Sequence, residues 1–208
     1  MLPASDPPAP RGPSLHLKLE DGRPVLLRPV LPEDAPLIQQ GLERLSAASR
    51  TSRFFAPVSH LSDAQLDYLT HVDQVNHVAW GALDLSTDEV LGLGIGRFAR
   101  LPSEPEVAEV ALAVVDASQG HGLGSLLFGV LYCLARAQGV TAFRAVVMPH
   151  NQGLVERLRA IGGVVHHEEG QVLIDVPVVT DTDLLPSTPE ADGLKRVLRM
   201  VEAALAEA

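Results

Sequence analysis

Cysteine is nearly missing from this chain. Cys133 is the only one, so no internal disulfide can form and a reducing compartment is compatible. It stands in the apolar stretch Leu131-Tyr132-Cys133-Leu134 and reads as a small buried hydrophobe. Basic residues are also short: 16 Lys and Arg face 26 Asp and Glu, a formal charge of −10. That balance argues against nonspecific nucleic-acid binding, which rests on clustered positive charge, and suits a cationic or amine-bearing substrate better. No apolar run is long enough to span a bilayer, and no charged-then-apolar leader is evident, so we expect a cytoplasmic protein with no membrane partner. The eight histidines offer no converging ligand set. His166-His167-Glu168-Glu169 falls on an expected strand, where adjacent side chains face opposite sides, and no metal is expected.

What the chain does have is 46% apolar residues in 208, enough for one sizeable core. Pro3, Pro7, Pro8, Pro10 and Pro13 mark residues 1–14 as a flexible arm, followed by a domain over 15–178. A first strand is expected at Val25 to Arg28. Pro32-Glu33-Asp34 opens a helix reaching Leu45, and Ser62-Asp63 caps a short one ending at Thr70. Strands over Val78 to Leu85 and Val90 to Arg97 fit a hairpin joined through Ser86-Thr87-Asp88. Leu123, Leu126, Leu127, Val130, Leu131 and Leu134 recur at helical spacing until Gly139. A strand at Ala142 to Val147, a helix from Asn151 to Ala160, and strands at Val164 to His167 and Val172 to Val176 complete the domain. Residues 179–190 read as a linker. An amphipathic helix over 191–208 then packs on the domain or on a second subunit, which would make a homodimer. Gly92, Gly94 and Gly96 leave one strand face bare, for a packed helix or for a substrate edge.

The chemistry concentrates where Glu109-Val110-Ala111-Leu112-Ala113-Val114-Val115-Asp116 runs into Gln119-Gly120-His121-Gly122-Leu123-Gly124 and a long helix. Alternate glycines let the backbone bend and present successive N–H groups, and the helix adds the positive end of its dipole, so an anionic pyrophosphate fits. A nucleotide-triphosphate loop would end in Gly-Lys-Ser/Thr, but this one reads Gly124-Ser125-Leu126. A dinucleotide fingerprint would place Gly or Ala at 125 and an acid about twenty positions on, where Val140-Thr141-Ala142-Phe143-Arg144 has none.

The remaining pattern, Gln-x-x-Gly-x-Gly between strand and helix, resembles the coenzyme A loop of the GNAT superfamily of N-acetyltransferases. Arg28-Pro29-Val30 through Glu33-Asp34-Ala35 is similar to that family's opening strand and helix. Leu93-Gly94-Ile95-Gly96-Arg97 resembles the strand before its central one, and Pro149-His150-Asn151 falls where members carry an asparagine. The resemblance spans roughly Leu26 to Val176. Ser49-Arg50-Thr51-Ser52-Arg53-Phe54-Phe55 and Val107-Ala108-Glu109-Val110-Ala111 are most similar to the catalytic domain of bacterial protein-lysine acetyltransferases.

That resemblance implies an α/β (α+β) fold, a mixed, mostly antiparallel sheet flanked by helices and splayed near the coenzyme. It implies an acyltransferase moving acetyl from acetyl-CoA, as co-substrate, to a primary amine such as a protein lysine, by direct attack in a ternary complex. Carried over by position, Leu112, Ala113 and Val114 would pair with the pantetheine arm, and Gln119, Gly120, His121, Gly122, Leu123, Gly124 and Ser125 would hold the pyrophosphate. Asn151 would cap a helix and touch the coenzyme. Glu109 is the candidate general base, and its apolar sequence neighbours would desolvate it. Many relatives place a tyrosine in the helix after Asn151 to protonate the thiolate; here Leu154-Val155-Glu156-Arg157-Leu158-Arg159 has none, and Tyr68 and Tyr132 do not fit that slot. Arg50 and Arg53 either anchor their segment or touch substrate. The rival readings are the same chemistry on a small-molecule amine and a non-catalytic acyl-CoA sensor.

Overall fold

A computed structural model describes residues 13–168 and 170–208. The arm expected over residues 1–14 lies, but for its last two residues, outside the described residues. The chain runs β1 (Leu15–Lys18), β2 (Pro24–Pro29), α1 (Ala35–Glu43), α2 (Ala47–Phe54), α3 (Asp63–Thr70), β3 (His77–Asp84), β4 (Gly92–Leu101) and β5 (Glu104–Val114). It continues with α4 (Leu123–Ala137), β6 (Ala142–Val147), α5 (Gln152–Ala160), β7 (Val164–Glu168), β8 (Gln171–Pro177) and α6 (Pro189–Glu207). The strands form one sheet in the order β1-β2-β3-β4-β5-β6-β8-β7. Every neighbouring pair is antiparallel except β5 and β6. This is the mixed, mostly antiparallel sheet the resemblance implies.

Two elements depart from the expectation. β1 precedes the strand expected first, and its Leu15-His16-Leu17-Lys18 alternation does carry a period-two signal, with Leu15 buried and His16 exposed. α2 has no apolar period to reveal it and buries no residue. It is set by its ends: Ser46 Oγ accepts from Ser49 N–H at 3.1 Å, and Phe55 stops it in the left-handed region at φ 56°.

α4 packs on β3, β4 and β5 from one side of the sheet. The bare glycine strand lies beneath it. A Cβ on Gly96 would come within 3.1 Å of Leu131, so the packed helix accounts for that glycine, whereas one on Gly94 would come within 2.9 Å of Ala113 O on β5 as well as 3.2 Å of Leu127. α1 and α2 cover β4 and β5 from the other side. A smaller apolar cluster of Leu42, Leu45 and Leu61 fills that layer. The segment before α6 is fastened: the Tyr132 hydroxyl donates to Pro177 O at 3.0 Å and accepts from Val179 N–H at 2.8 Å, and Leu185 is buried. α6 itself starts at Pro189 behind the N-cap Thr188 and packs on α4, α5 and β1 of its own chain. No helix among the described residues is long and apolar enough to cross a membrane.

Candidate active site

The one parallel pairing creates the site. β5 and β6 are in register only from Val107↔Ala142 to Val110↔Ala145, whereas β5 continues along β4 to Val114 and β6 along β8 to Val147. Past Val110 the two strands part, leaving one edge of β5 without a partner strand. Val115 N–H donates to Leu93 O on β4, so strand alternation turns the peptide groups of Leu112 and Val114 toward the fork. Those of Ala113 face β4, and its side chain packs with the cluster of Leu42, Leu45 and Leu61. Of the three residues expected on the pantetheine arm, Leu112 and Val114 line the fork and Ala113 does not. The Val114 carbonyl accepts from Gln119 Nε2 at 3.0 Å, so Gln119 clasps the strand end.

A groove of about 1120 Å³ opens from this fork and runs over the glycine loop. Gly120 and Gly122 take φ of 77° and 84°, a region open to glycine and strained for other residues. Among the described residues, the N–H groups from Gly120 to Ser125 donate to no protein acceptor, and no side chain caps α4. A helix N-terminus whose donors are free and reached from a groove is an anion site. Gln119, Gly120, His121, Gly122, Gly124 and Ser125 line the groove, while the Leu123 side chain is buried in the core and leaves only its backbone to the loop. Asn151 caps α5, accepting from Leu154 N–H at 3.4 Å, and does not line the groove.

Of three further contributions to this groove, sequence reasoning anticipated only Arg53, as an anchor of its segment or a substrate contact. Lys18, Leu19 and Glu20 close it from the β1–β2 turn, where Glu20 N–H donates to His121 O at 3.1 Å. Arg157 of α5 and Arg196 of α6 supply positive charge on the far wall. Ser52, Arg53 and Phe55 bring α2 to the Glu109 side. That helix is fixed to the end of β5 by Asp116, whose carboxylate accepts from Ser46 N–H at 2.8 Å and Ser49 Oγ at 3.0 Å. These bonds, the Ser46 N–H first, hold Asp116 below its ordinary carboxylate value. No local pattern signals contacts of this range.

Glu109 sits at the fork, one residue before the last β5–β6 pair, and lines the groove. It is exposed, which corrects the desolvation expected from its sequence neighbours: Ala108 and Val110 are buried on the opposite face of the strand and do not enclose it. Register places Arg97 and His77 on the Glu109 face, through Ala99↔Glu109, Arg97↔Ala111 and His77↔Ala99. Arg97 donates to His77 Nε2 and lies over the Tyr68 ring, 4.6 Å from its centroid. Burial, then the Arg97 charge, lowers the His77 pKa to about 4, so the ring stays neutral and can accept that bond. His77 is therefore part of a packed cluster, whereas His71 remains exposed beside Asp67.

Neither tyrosine is in the α5 slot. Tyr132 is buried with both hydrogen-bonding roles of its hydroxyl taken, and Tyr68 belongs to the Arg97 cluster. Cys133 is buried, which pushes its thiol up to about 11 and removes it as a nucleophile. Glu104 joins Asp175 on Arg144 and ties β5, β6 and β8 together at the closed end of the fork. Among the described residues no group of three His, Cys, Asp or Glu is placed to hold a metal.

The family model described as Acetyltransferase (GNAT) family matches residues 43–162. The chain is 33% identical over 197 residues to Acetyltransferase Pat of Mycolicibacterium smegmatis, covering 90% of this chain and 57% of that protein. It thus spans little more than half the length of that relative. It is 34% identical over 146 residues to Acetyltransferase PA5475 of Pseudomonas aeruginosa, covering 70% of this chain and 78% of the other. The crystal structure of the GNAT domain of S. lividans PAT matches with a TM-score of 0.72 at 28% identity, over 79% of this chain and 96% of that one.

Proposed function

We propose a function from one premise: the chain belongs to the acetyltransferase (GNAT) family and is an acyltransferase enzyme. In our reading it takes acetyl-CoA as co-substrate and transfers the acetyl group to a primary amine, with a protein lysine as the favoured acceptor. The observation that carries this reading is the run of unengaged N–H groups from Gly120 to Ser125 at the mouth of the β5–β6 fork. Those donors suit the pyrophosphate, and the open-side peptide groups of Leu112 and Val114 suit the amide-bearing arm, which would lie along β5 like an added strand. Arg157 and Arg196 stand where further phosphate charge could be met. The similarity of residues 49–55 and 107–111 to bacterial protein-lysine acetyltransferases supports a protein acceptor, and the excess of acidic residues agrees with a cationic one.

Glu109, at the fork and in contact with solvent, is the proposed general base. It takes a proton from the ammonium form of the acceptor, directly or through one water, and passes it to solvent. The free amine then attacks the thioester carbonyl carbon: a C–N bond forms, the C–S bond breaks, and the amine's remaining excess proton is lost as the amide forms. Coenzyme A departs as a thiolate and takes up a proton from water; with an ordinary thiol pKa of about 8.5 it needs little assistance. No enzyme nucleophile is required, in keeping with the buried Cys133.

Glu109→Gln tests the assignment. Turnover should fall by roughly 10²–10⁴ at neutral pH, the usual contribution of a positioned base, while acetyl-CoA binding by calorimetry stays within about threefold. Turnover equal to the parent protein at all pH values would remove Glu109 from the mechanism. Acetyl-CoA binding without thioester loss across a broad amine panel would instead favour a sensor.

A further inference from the structure

Two arginines are buried among the described residues, and they differ in one respect. Arg28, 2% exposed, holds Asp34 through two bonds of 2.7 Å. Arg97, 7% exposed, has no ion-pair partner at contact distance among the described residues. A guanidinium withdrawn from water without a counter-charge is costly, and a ring face and a neutral imidazole offset only part of that cost. Arg53 adds to the imbalance. It lines the groove together with Glu109 and lines, with Arg97, a smaller cavity of about 90 Å³ under α1 and α2. It too lacks an ion-pair partner at contact distance among the described residues, and burial and the Arg97 charge together lower its pKa.

Glu109 is the carboxylate that opposes both arginines electrostatically, so two positive charges meet one negative charge. The sheet fixes their arrangement. Arg97 and Glu109 project from one face as diagonal neighbours on β4 and β5, and α2 carries Arg53 over that face. The groove wall is therefore dipolar: a carboxylate that suits an ammonium, and beside it a guanidinium backed by a second one.

We propose that Arg53, backed by the buried charge of Arg97, forms an anion subsite beside Glu109, so that the preferred acceptor is an amine bearing a carboxylate a few ångströms away. This rests on the acetyl-transfer reading above. Arg53 is the contact, and Arg97 is a positioning residue that supplies field from behind. The carboxylate can come from an acidic side chain next to a lysine or from a small amino acid, and the two sources share one chemistry.

Two matched pairs of acceptors separate them. The first is a peptide with a single lysine followed by glutamate, against the same peptide with glutamine. The second is free L-lysine against 1,5-diaminopentane, which differs by the carboxylate alone. With the full chain and acetyl-CoA, the carboxylate-bearing member of at least one pair should show kcat/KM roughly tenfold higher or more, as a charge-assisted bond provides. The pair that shows it names the source. The ratio should fall toward one in Arg53→Gln, persist in part in Arg53→Lys, and persist fully in Arg50→Gln, a control on the same helix that lines neither cavity.

Equal use of both members in both pairs overturns the subsite. So does a ratio that Arg53→Gln leaves unchanged, including the case where that variant slows both members alike, as it would if the arginines served only to hold Glu109 in place. Calorimetric binding of the same four compounds to the coenzyme A-loaded protein reads the subsite without turnover. An Arg53-dependent preference in binding with no transfer to any acceptor would sustain the subsite and overturn the acetyl-transfer reading. Transfer without preference would do the reverse.

Discussion

Asp34 serves two structural ends with one carboxylate. It accepts both Arg28 bonds and the Leu31 N–H at 2.9 Å, so it neutralises a buried cation and closes the turn that starts α1. Removing one member of a buried pair leaves the other uncompensated, at a cost of about 3–5 kcal/mol. Asp34→Ala should lower unfolding free energy in urea by that amount, and Arg28→Met with Asp34→Leu should recover much of it; a loss under 1 kcal/mol in the single variant would refute the account. Single residues such as these were legible in the sequence as types and not as partners. Glu109 stood out as an acid on a strand, yet its exposure follows from its place at the fork, where β6 ceases to pair with β5 after Val110, a separation no local pattern announces. Arg97 stood only as the last residue of a glycine-alternating strand pattern. Its significance lies in Arg53, Tyr68, His77 and Glu109, which reach it from four separate elements.

Elements with strong local chemistry were the most readable. The glycine loop and α4 announce themselves through backbone demands: Gly120 and Gly122 adopt φ values that other residues enter only with strain, and the leucines behind them repeat at helical spacing. Gly122→Ala tests the loop at this scale. The added Cβ would be strained by φ 84° and would lie 3.0 Å from Glu20 Oε1. Gly120→Ala meets nothing within 4 Å at φ 77°, so the pair separates strain from contact. Left-handed strain alone is worth about 1–2 kcal/mol. Both variants should therefore bind acetyl-CoA roughly tenfold or more weakly in calorimetry, Gly122→Ala the more so, and parental affinity in both would take the pyrophosphate away from this loop. α2 shows why the remainder was hidden. Its sequence is mostly polar and buries no residue, and what fixes it is Asp116, 70 residues from the Ser46 N–H it receives.

At the scale of the whole molecule, the site depends on strands that part and on a terminal helix that closes the gap from behind. The amphipathic pattern of α6 was readable, but whether it met its own domain or a second subunit was not, since one apolar stripe serves either. Leu194, Leu198 and Val201 bury that stripe, and Glu190, Gly193, Arg196 and Met200 turn toward the groove. α6 meets α4 at Gly129, where an added Cβ would lie 2.5 Å from Val197 Cγ1, nearer than two carbons can approach. Gly129→Ala must push α6 outward or strain the core, at about 1–3 kcal/mol for overpacking. Val197→Ala removes the atom in the way, so the double variant should recover most of the stability, a coupling that independent sites do not show. Because α6 is also a groove wall, Gly129→Ala should weaken acetyl-CoA binding, and Val197→Ala should restore that affinity along with the stability. A stability loss with unchanged affinity would mean that α6 supports the fold without shaping the groove. Failure of the double variant to recover either quantity would mean that Gly129 is required for a reason other than the approach of Val197.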